Sequence, residues 1–134
     1  MGNRAVITFT NHATSPCIYL HWNGGRASVE GFLKAAQQIE LLPTNFNHES
    51  EFLDKFAEMI AHRFFKCRVG MTVYREKYGQ ADTDNWDNGV YVIDQKLQII
   101  GRLYSRGSEE IDPAKSDAIC KGIVEWTSEQ EVAA

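Results

Sequence analysis

The sequence predicts an α+β domain: a mainly antiparallel five-stranded sheet with three helices on one face, in the order ββααβββα. Strand-like segments, which alternate apolar and polar side chains, come in neighbouring pairs joined by turn formers, as in β-hairpins. Two helical patterns follow one another directly, which favours α+β over a doubly wound sheet. The 134 residues suit one domain, so residues 1–134 are predicted to share a single core.

The first hairpin joins residues 4–9 to residues 18–22 across a loop dense in turn formers. Both segments alternate, and the second is rich in the β-branched and aromatic side chains that suit a half-buried strand. One face of this hairpin is predicted to enter the core. Its residues are Ala5, Ile7, Phe9, Ile18, Leu20 and Trp22.

Two helices are predicted to follow the hairpin. The Asn-Gly-Gly turn at residues 23–25 permits positive φ, and Ser28 is placed as the N-cap of the first helix. Apolar residues then recur at spacings of three and four. A second helix is predicted from Ser50 to Phe64. Its apolar stripe consists of Phe52, Leu53, Phe56, Met59, Ile60 and Phe64.

The second half of the chain predicts three more strands and a helix. Residues 69–74 alternate as a third strand, and residues 90–93 and 97–104 form a second hairpin. Asp112-Pro113 has the arrangement of a capping carboxylate followed by proline at the first helical position. The apolar stripe that follows predicts a last helix packed on the sheet. This stripe consists of Ile119, Ile123 and Trp126.

The composition is that of an ordinary globular protein, with 43% hydrophobic and 24% charged residues. The net charge of -4 argues against a broad phosphate-binding surface, so no direct nucleic-acid contact is expected. The three cysteines lack the spacing of zinc sites, and no apolar run is long enough for a membrane span. A cytoplasmic protein without metal or cofactor is therefore expected.

A long polar connection at residues 75–89 contains the first candidate site. Long loops inside small domains are often functional, and this one collects oxygen-bearing side chains around an aromatic one. The candidate binding residues are Asp82, Asp84, Trp86, Asp87 and Asn88. The spacing does not fit a calcium loop, because Trp86 stands at the fifth position counted from Asp82. An Asx-stabilised turn with Trp86 anchoring the loop is the structural alternative.

The glycine turn ahead of the first helix is a second candidate site, for an anion. A helix N-terminus carries partial positive charge, and its backbone N–H groups bind anions readily. The residues that would do so are Asn23, Gly24, Gly25 and Arg26. Their spacing matches no phosphate-binding motif, so a purely structural turn is the alternative.

An enzyme is the alternative to a binding protein. Cys17 and His21 suggest a thiolate and its base, but an extended strand separates their Cα atoms by about 13 Å, too far for proton transfer. Only the fold could bring Cys17, His21 and Asp84 together as the active site of a small hydrolase or transferase. No complete catalytic set is recognisable along the chain, so a non-enzymatic role is preferred.

Three segments of the chain resemble small uncharacterised proteins of bacterial phages, prophages and other mobile elements. They are residues 2–7, the segment Tyr19-Leu20-His21-Trp22-Asn23-Gly24-Gly25, and residues 84–93. The resemblance implies a genomic setting in which small acidic proteins often bind host machinery, as anti-CRISPR and antirestriction proteins do. It therefore implies a protein that engages a host protein or protein complex, and it assigns no catalytic residue.

Overall fold

The structure is a computed structural model that describes residues 3–107 and 109–133. All the helices and strands below lie in these ranges. The strands are β1 (Ala5–Thr8), β2 (Pro16–Leu20), β3 (Val73–Lys77), β4 (Val90–Ile93) and β5 (Ile99–Leu103). The helices are α1 (Arg26–Gln38), α2 (Glu49–Met59) and α3 (Pro113–Ala133). The predicted order ββααβββα leaves out the short helical segments. These are 3-10 turns at Pro43–Asn45 and Tyr78–Gln80, and a π-helical turn at Ile60–Phe64 that continues α2.

The five strands form one mixed sheet in the order β3-β2-β1-β4-β5. Both predicted hairpins are present, β1 with β2 and β4 with β5. However, β1 also pairs with β4 in parallel, with Val6 opposite Val90. The prediction of a mainly antiparallel sheet is therefore wrong. It considered only strands adjacent in sequence. In the chain, β2, α1, α2 and β3 lie between the two parallel strands, and together they make the long connection that a parallel pair requires.

All three helices contribute to a core on one face of the sheet. Ile7 and Ile18 from the strands belong to the same buried cluster as Phe32 of α1 and Phe56 of α2. Ile123 of α3 also belongs to this cluster. Each large apolar side chain that is fully buried in this way contributes about 1.5–3 kcal/mol to stability.

The last helix lies against α1 instead of directly on the sheet. A Cβ placed on Gly31 of α1 would lie 2.9 Å from the Cβ of Ile119 in α3, so the two helix backbones approach closely. The Ser116 hydroxyl donates a hydrogen bond of 2.7 Å to the carbonyl oxygen of Ala27. The expectation that α3 packs on the sheet is thus corrected, although its buried side chains reach the common core.

The opposite face of the sheet carries a smaller buried cluster. Val6, Cys17, Tyr19 and Val90 form this cluster. Residues of the connection between β3 and β4 pack against it. This connection therefore covers part of the face that the helices leave open, and it positions the acidic loop at one end of the sheet.

The third strand begins later than its alternation indicates. Val69 and Met71 are exposed, in a turn where the N–H of Gly70 donates to the carbonyl oxygen of Val73 at 2.6 Å. Gly70 has a φ of 99°, which few residues other than glycine adopt. The strand then continues to Lys77, so charged residues assigned to the loop belong to an edge strand.

Trp22 is 42% exposed, and its assignment to the core is wrong. The alternation of β2 holds only to Leu20, where the strand ends. His21 then donates its backbone N–H to the carbonyl oxygen of Thr72, and Asn23 adopts a φ of 56°. The chain has therefore left the strand before Trp22.

The first helix begins at Arg26, earlier than predicted. Gly25 occupies the cap position, and no side chain caps the helix. Ser28, predicted as the cap, is instead buried inside the first turn.

Candidate functional site

Asn85 organises the loop of residues 82–89, which carries the acidic candidate site. Its side chain is buried, and its Nδ2 donates to the carbonyl oxygens of Asp82 and Gly89, at 2.9 and 3.3 Å. Its Oδ1 accepts hydrogen bonds from the backbone N–H groups of Asp87 and Gly89, at 3.2 and 3.0 Å. One side-chain amide therefore closes the loop on itself, and the predicted Asx turn is confirmed.

Asn88 joins the loop to the N-terminal segment. Its backbone N–H and its Nδ2 both donate to the carbonyl oxygen of Arg4, at 3.0 and 3.1 Å, and Nδ2 also donates to Oδ1 of Asn3. Arg102 donates to the carbonyl oxygen of Asn88 at 2.8 Å. Asn88 is buried, so it supports the loop from within instead of offering a contact to a partner.

Trp86 stands at the tip of this loop and is 69% exposed. Its φ is 65°, in the left-handed region that costs a non-glycine residue about 1–2 kcal/mol. The guanidinium of Arg106 lies over the indole, with Cζ 3.9 Å from the ring centroid, and its Nε lies 3.4 Å from Oδ1 of Asp84. The indole therefore does not anchor the loop to the sheet but projects into solvent.

The three aspartates of the loop have different surroundings. Asp87 accepts hydrogen bonds from the backbone N–H and the Nε of Arg4, at 3.1 and 2.8 Å. Burial raises the pKa of Asp87, but the hydrogen bonds and charge of Arg4 outweigh it, and the pKa lies below its ordinary value. Asp82, 3.6 Å from Nη1 of Arg4, and Asp84 each have about half of their side chain exposed. Asp82 and Asp84 are therefore the loop carboxylates that face solvent.

Asn3 connects the acidic loop to the glycine turn. Its backbone N–H donates to the carbonyl oxygen of His21 at 3.2 Å, and its own carbonyl oxygen accepts the N–H of Gly24 at 2.7 Å. A Cβ on Gly24 would lie 2.6 Å from the Cβ of Ala5, so this close approach, not a positive φ, requires glycine there. Two candidate sites that are distant in sequence thus lie side by side at one end of the sheet.

The glycine turn is poorly suited to an anion. The Nε and Nη1 atoms of Arg26 each lie 3.2 Å from a carboxylate oxygen, of Glu30 and Glu109 respectively. Gly25, Arg26 and Asn88 line a shallow cleft of about 330 Å³. Glu110 and Asp112 also line it, together with Lys115, so two carboxylates offset the positive charge that an anion would need.

The residues of the enzyme alternative lie in dissimilar surroundings. Cys17 is fully buried, and burial, followed by the charge of Glu76, raises the pKa of its thiol to about 12. His21 is exposed, with Nδ1 3.1 Å from the hydroxyl of Tyr19, and Asp84 pairs with Arg106. A buried thiol that stays protonated is a poor nucleophile. This arrangement gives no support to cysteine catalysis.

Sequence reasoning missed the residues that hold the site together. Asn3 and Arg4 reach the loop from the start of the chain, and Arg102 and Arg106 reach it from β5 and the segment after it. No local spacing identifies such partners. The sequence offers one indication: Arg4 stands next to the first strand of an acidic chain. This indicates that a carboxylate pairs with Arg4, but not which one.

Comparisons with protein-family models, with curated proteins and with solved structures found no match. Within residues 3–107 and 109–133, no helix has the length and apolar content needed to cross a membrane. In the same ranges, no group of three or more His, Cys, Asp or Glu side chains is arranged to hold a metal ion.

Proposed function

We propose that this chain is a non-enzymatic binding protein that engages another protein through the loop of residues 82–89. The resemblance to proteins of phages and mobile elements points to a host protein or protein complex as the partner. Inhibitors of the anti-CRISPR or antirestriction kind are the corresponding class.

The exposed Trp86 is the observation that carries the proposal. A tryptophan in the left-handed region is strained, and residues held in such strain cluster at functional sites. The loop beneath it is fixed by the buried Asn85 and Asn88, so little conformational entropy would be lost on binding. Tryptophan is also over-represented among the residues that dominate binding energy at interfaces.

The charges of the loop that carries Trp86 also support a role in protein binding. Asp82 and Asp84, in the same loop as Trp86, leave about half of their side chains exposed, which favours a partner surface with basic residues. By contrast, the enzyme alternative requires an ionised Cys17, whose thiol is buried and has a raised pKa. The geometry therefore favours binding over hydrolysis or group transfer.

The proposal is tested by capture from bacterial host lysate with immobilised protein and quantitative mass spectrometry. Wild type should retain a partner at near-stoichiometric amounts, and Trp86→Ala should weaken retention at least about tenfold, since interface tryptophans often contribute 2 kcal/mol or more. Met71→Ala is the matched control, because Met71 is 70% exposed in the turn before β3. Thermal melts of each variant confirm that it is folded.

Two outcomes would contradict the proposal. Folded Trp86→Ala could retain the same partner as tightly as wild type, which would exclude the loop as the contact. Alternatively, wild type could retain no protein and turn over a small substrate, in which case the enzyme alternative replaces it.

A further inference from the structure

A row of aromatic side chains begins on the face of the sheet that the helices leave open and continues past the end of β2. It consists of Tyr74, Tyr19, His21 and Trp22, called the aromatic row below. The rings of Tyr19 and Tyr74, which pair across β2 and β3, have centroids 5.2 Å apart. The row continues from Tyr19 to His21 at 6.1 Å and from His21 to Trp22 at 4.9 Å. Tyr74 is 38% exposed and Trp22 is 42% exposed, so both ends of the row meet solvent.

Two carboxylates lie beside the aromatic row. Glu76 follows Tyr74 on the same face of β3, and the charge of Asp82 acts on both tyrosine hydroxyls and on Glu76. Partial burial, followed by the charge of Asp82, raises the pKa of the Glu76 carboxyl above its ordinary value. The two carboxylates therefore repel each other. Arg4 offsets part of the Asp82 charge, since its Nη1 lies 3.6 Å from Asp82, but it pairs more closely with Asp87 through Nε at 2.8 Å. A cation placed between Glu76 and Asp82 would relieve this repulsion.

The protein already pairs guanidinium groups with aromatic faces elsewhere. Arg102 lies over Tyr91 with Cζ 3.6 Å from the ring centroid, and Arg106 lies over Trp86 at 3.9 Å. Within the described part of the chain, no arginine or lysine takes such a position over Tyr74 or Trp22. These two exposed rings can therefore receive a cation from another molecule.

We infer that the aromatic row, with Glu76 and Asp82, is a docking surface for a basic segment of a protein partner, whose arginine or lysine side chains lie over Tyr74 and Trp22. The inference rests on the proposed function and adds the chemical class of the partner. Charge complementarity selects this occupant, because the two carboxylates attract a cation and repel the phosphates of a nucleic acid. Asp82 belongs to both the row's border and the Trp86 loop, so one partner can contact both.

The test uses a fluorescein-labelled peptide of alternating arginine and glycine, with binding followed by fluorescence anisotropy at low ionic strength, where exposed charges are least screened. Tyr74→Ala and Asp82→Asn should each weaken binding at least about fivefold, because cation–π and charge contacts each contribute about 1 kcal/mol. Tyr104→Ala, an exposed tyrosine beyond β5, and Glu129→Gln, which makes the same charge change on α3, should leave affinity unchanged. Tyr74→Phe keeps the aromatic face and should bind like wild type.

Equal weakening by Asp82→Asn and Glu129→Gln would overturn the inference, since the peptide would then sense only net charge. Absence of peptide binding by wild type would also overturn it. The lysate capture separates this failure from that of the proposed function. Suppose that retention of the host partner depends on Trp86 while folded Tyr74→Ala binds the peptide as wild type does. The loop of residues 82–89 would then remain the contact, and the aromatic row would be excluded as a docking surface.

Discussion

Two buried asparagines, Asn85 and Asn88, carry the hydrogen bonds that shape residues 82–89, whereas Asp82 and Asp84 of the same loop lie closer to solvent. Asn85 alone makes four hydrogen bonds within the loop, two as donor and two as acceptor. A buried amide whose partners are lost leaves backbone groups unsatisfied, and this costs more than the net value of each hydrogen bond. The acids give the loop its charge, whereas the asparagines give it its conformation.

We predict that Asn85→Ala lowers the free energy of unfolding by about 1–3 kcal/mol, because the N–H groups of Asp87 and Gly89 lose their acceptor. Equilibrium urea denaturation measures the change. Asn47→Ala, at an exposed position, should change stability by less than about 0.5 kcal/mol. Similar losses in the two variants would show that Asn85 does not organise the loop.

At the scale of elements, α1 and α3 approach each other so closely at Gly31 that only a glycine fits there. Gly31 faces both the Ile119 side chain and the carbonyl oxygen of Ser116. Lys34 of α1 pairs with Asp117 of α3 at 2.9 Å on the exposed side of the same contact. The small residue, not the surface ion pair, sets the distance between the helices, since exposed ion pairs contribute little.

We predict that Gly31→Ala destabilises the protein by about 1–3 kcal/mol, because the added methyl group would lie 2.9 Å from Ile119 and force the helices apart. Gly122→Ala in α3 is the matched control, since a Cβ there meets nothing within 4 Å. It should stabilise the protein by up to about 1 kcal/mol through helix propensity. Thermal or urea unfolding distinguishes the two, and changes of the same sign would contradict this packing.

The sequence predicted the elements whose signals are local. The apolar stripe of the second helix, both hairpins and the Asp112-Pro113 start of α3 correspond to the structure, where Asp112 Oδ1 accepts the N–H of Lys115 at 3.1 Å. The parallel pairing of β1 with β4 was missed because it depends on contacts between distant segments. Trp22 was misplaced because alternation does not reveal where a strand ends.

The candidate site was predictable only in part, for the same reason. Its exposed residues, Trp86 among them, stand together in the sequence. By contrast, Asn3 and Arg4, which help to fix its shape, come from the segment just before β1, about 80 residues earlier in the chain. The aromatic row likewise depends on the register of β2 and β3, which brings Tyr19 opposite Tyr74.

For the whole molecule, Asp87 and Glu76 give opposite contributions to stability as pH changes. The pKa of Asp87 is lowered in the folded state, so its pairing with Arg4 stabilises the protein at neutral pH and is lost as pH falls through that pKa. The pKa of Glu76 is raised, so its ionised form lowers stability at neutral pH. That cost disappears as pH falls through the raised pKa toward the ordinary value.

We predict that Glu76→Gln is more stable than wild type at pH 7, and that this advantage is lost as pH falls to about 3, below the ordinary glutamate pKa of about 4.3, where the carboxyl is protonated in both states. Asp87→Asn should be less stable than wild type at pH 7. Urea denaturation across this pH range measures both. If Glu76→Gln were less stable than wild type at pH 7, the ionised Glu76 carboxylate would not be destabilised by burial and by the charge of Asp82.

The parallel pair at the centre of the sheet also determines how the chain can fold as it leaves the ribosome. β1 and β2 can close into a hairpin early, but the other edge of β1 receives its partner only when β4 has been synthesised, since Val6 pairs with Val90. Until then, α1 and α2 have an incomplete sheet to pack on. Pairings between distant segments slow folding and leave strand edges open to aggregation. Translation speed and chaperones should therefore affect the yield of this protein more than its modest size suggests.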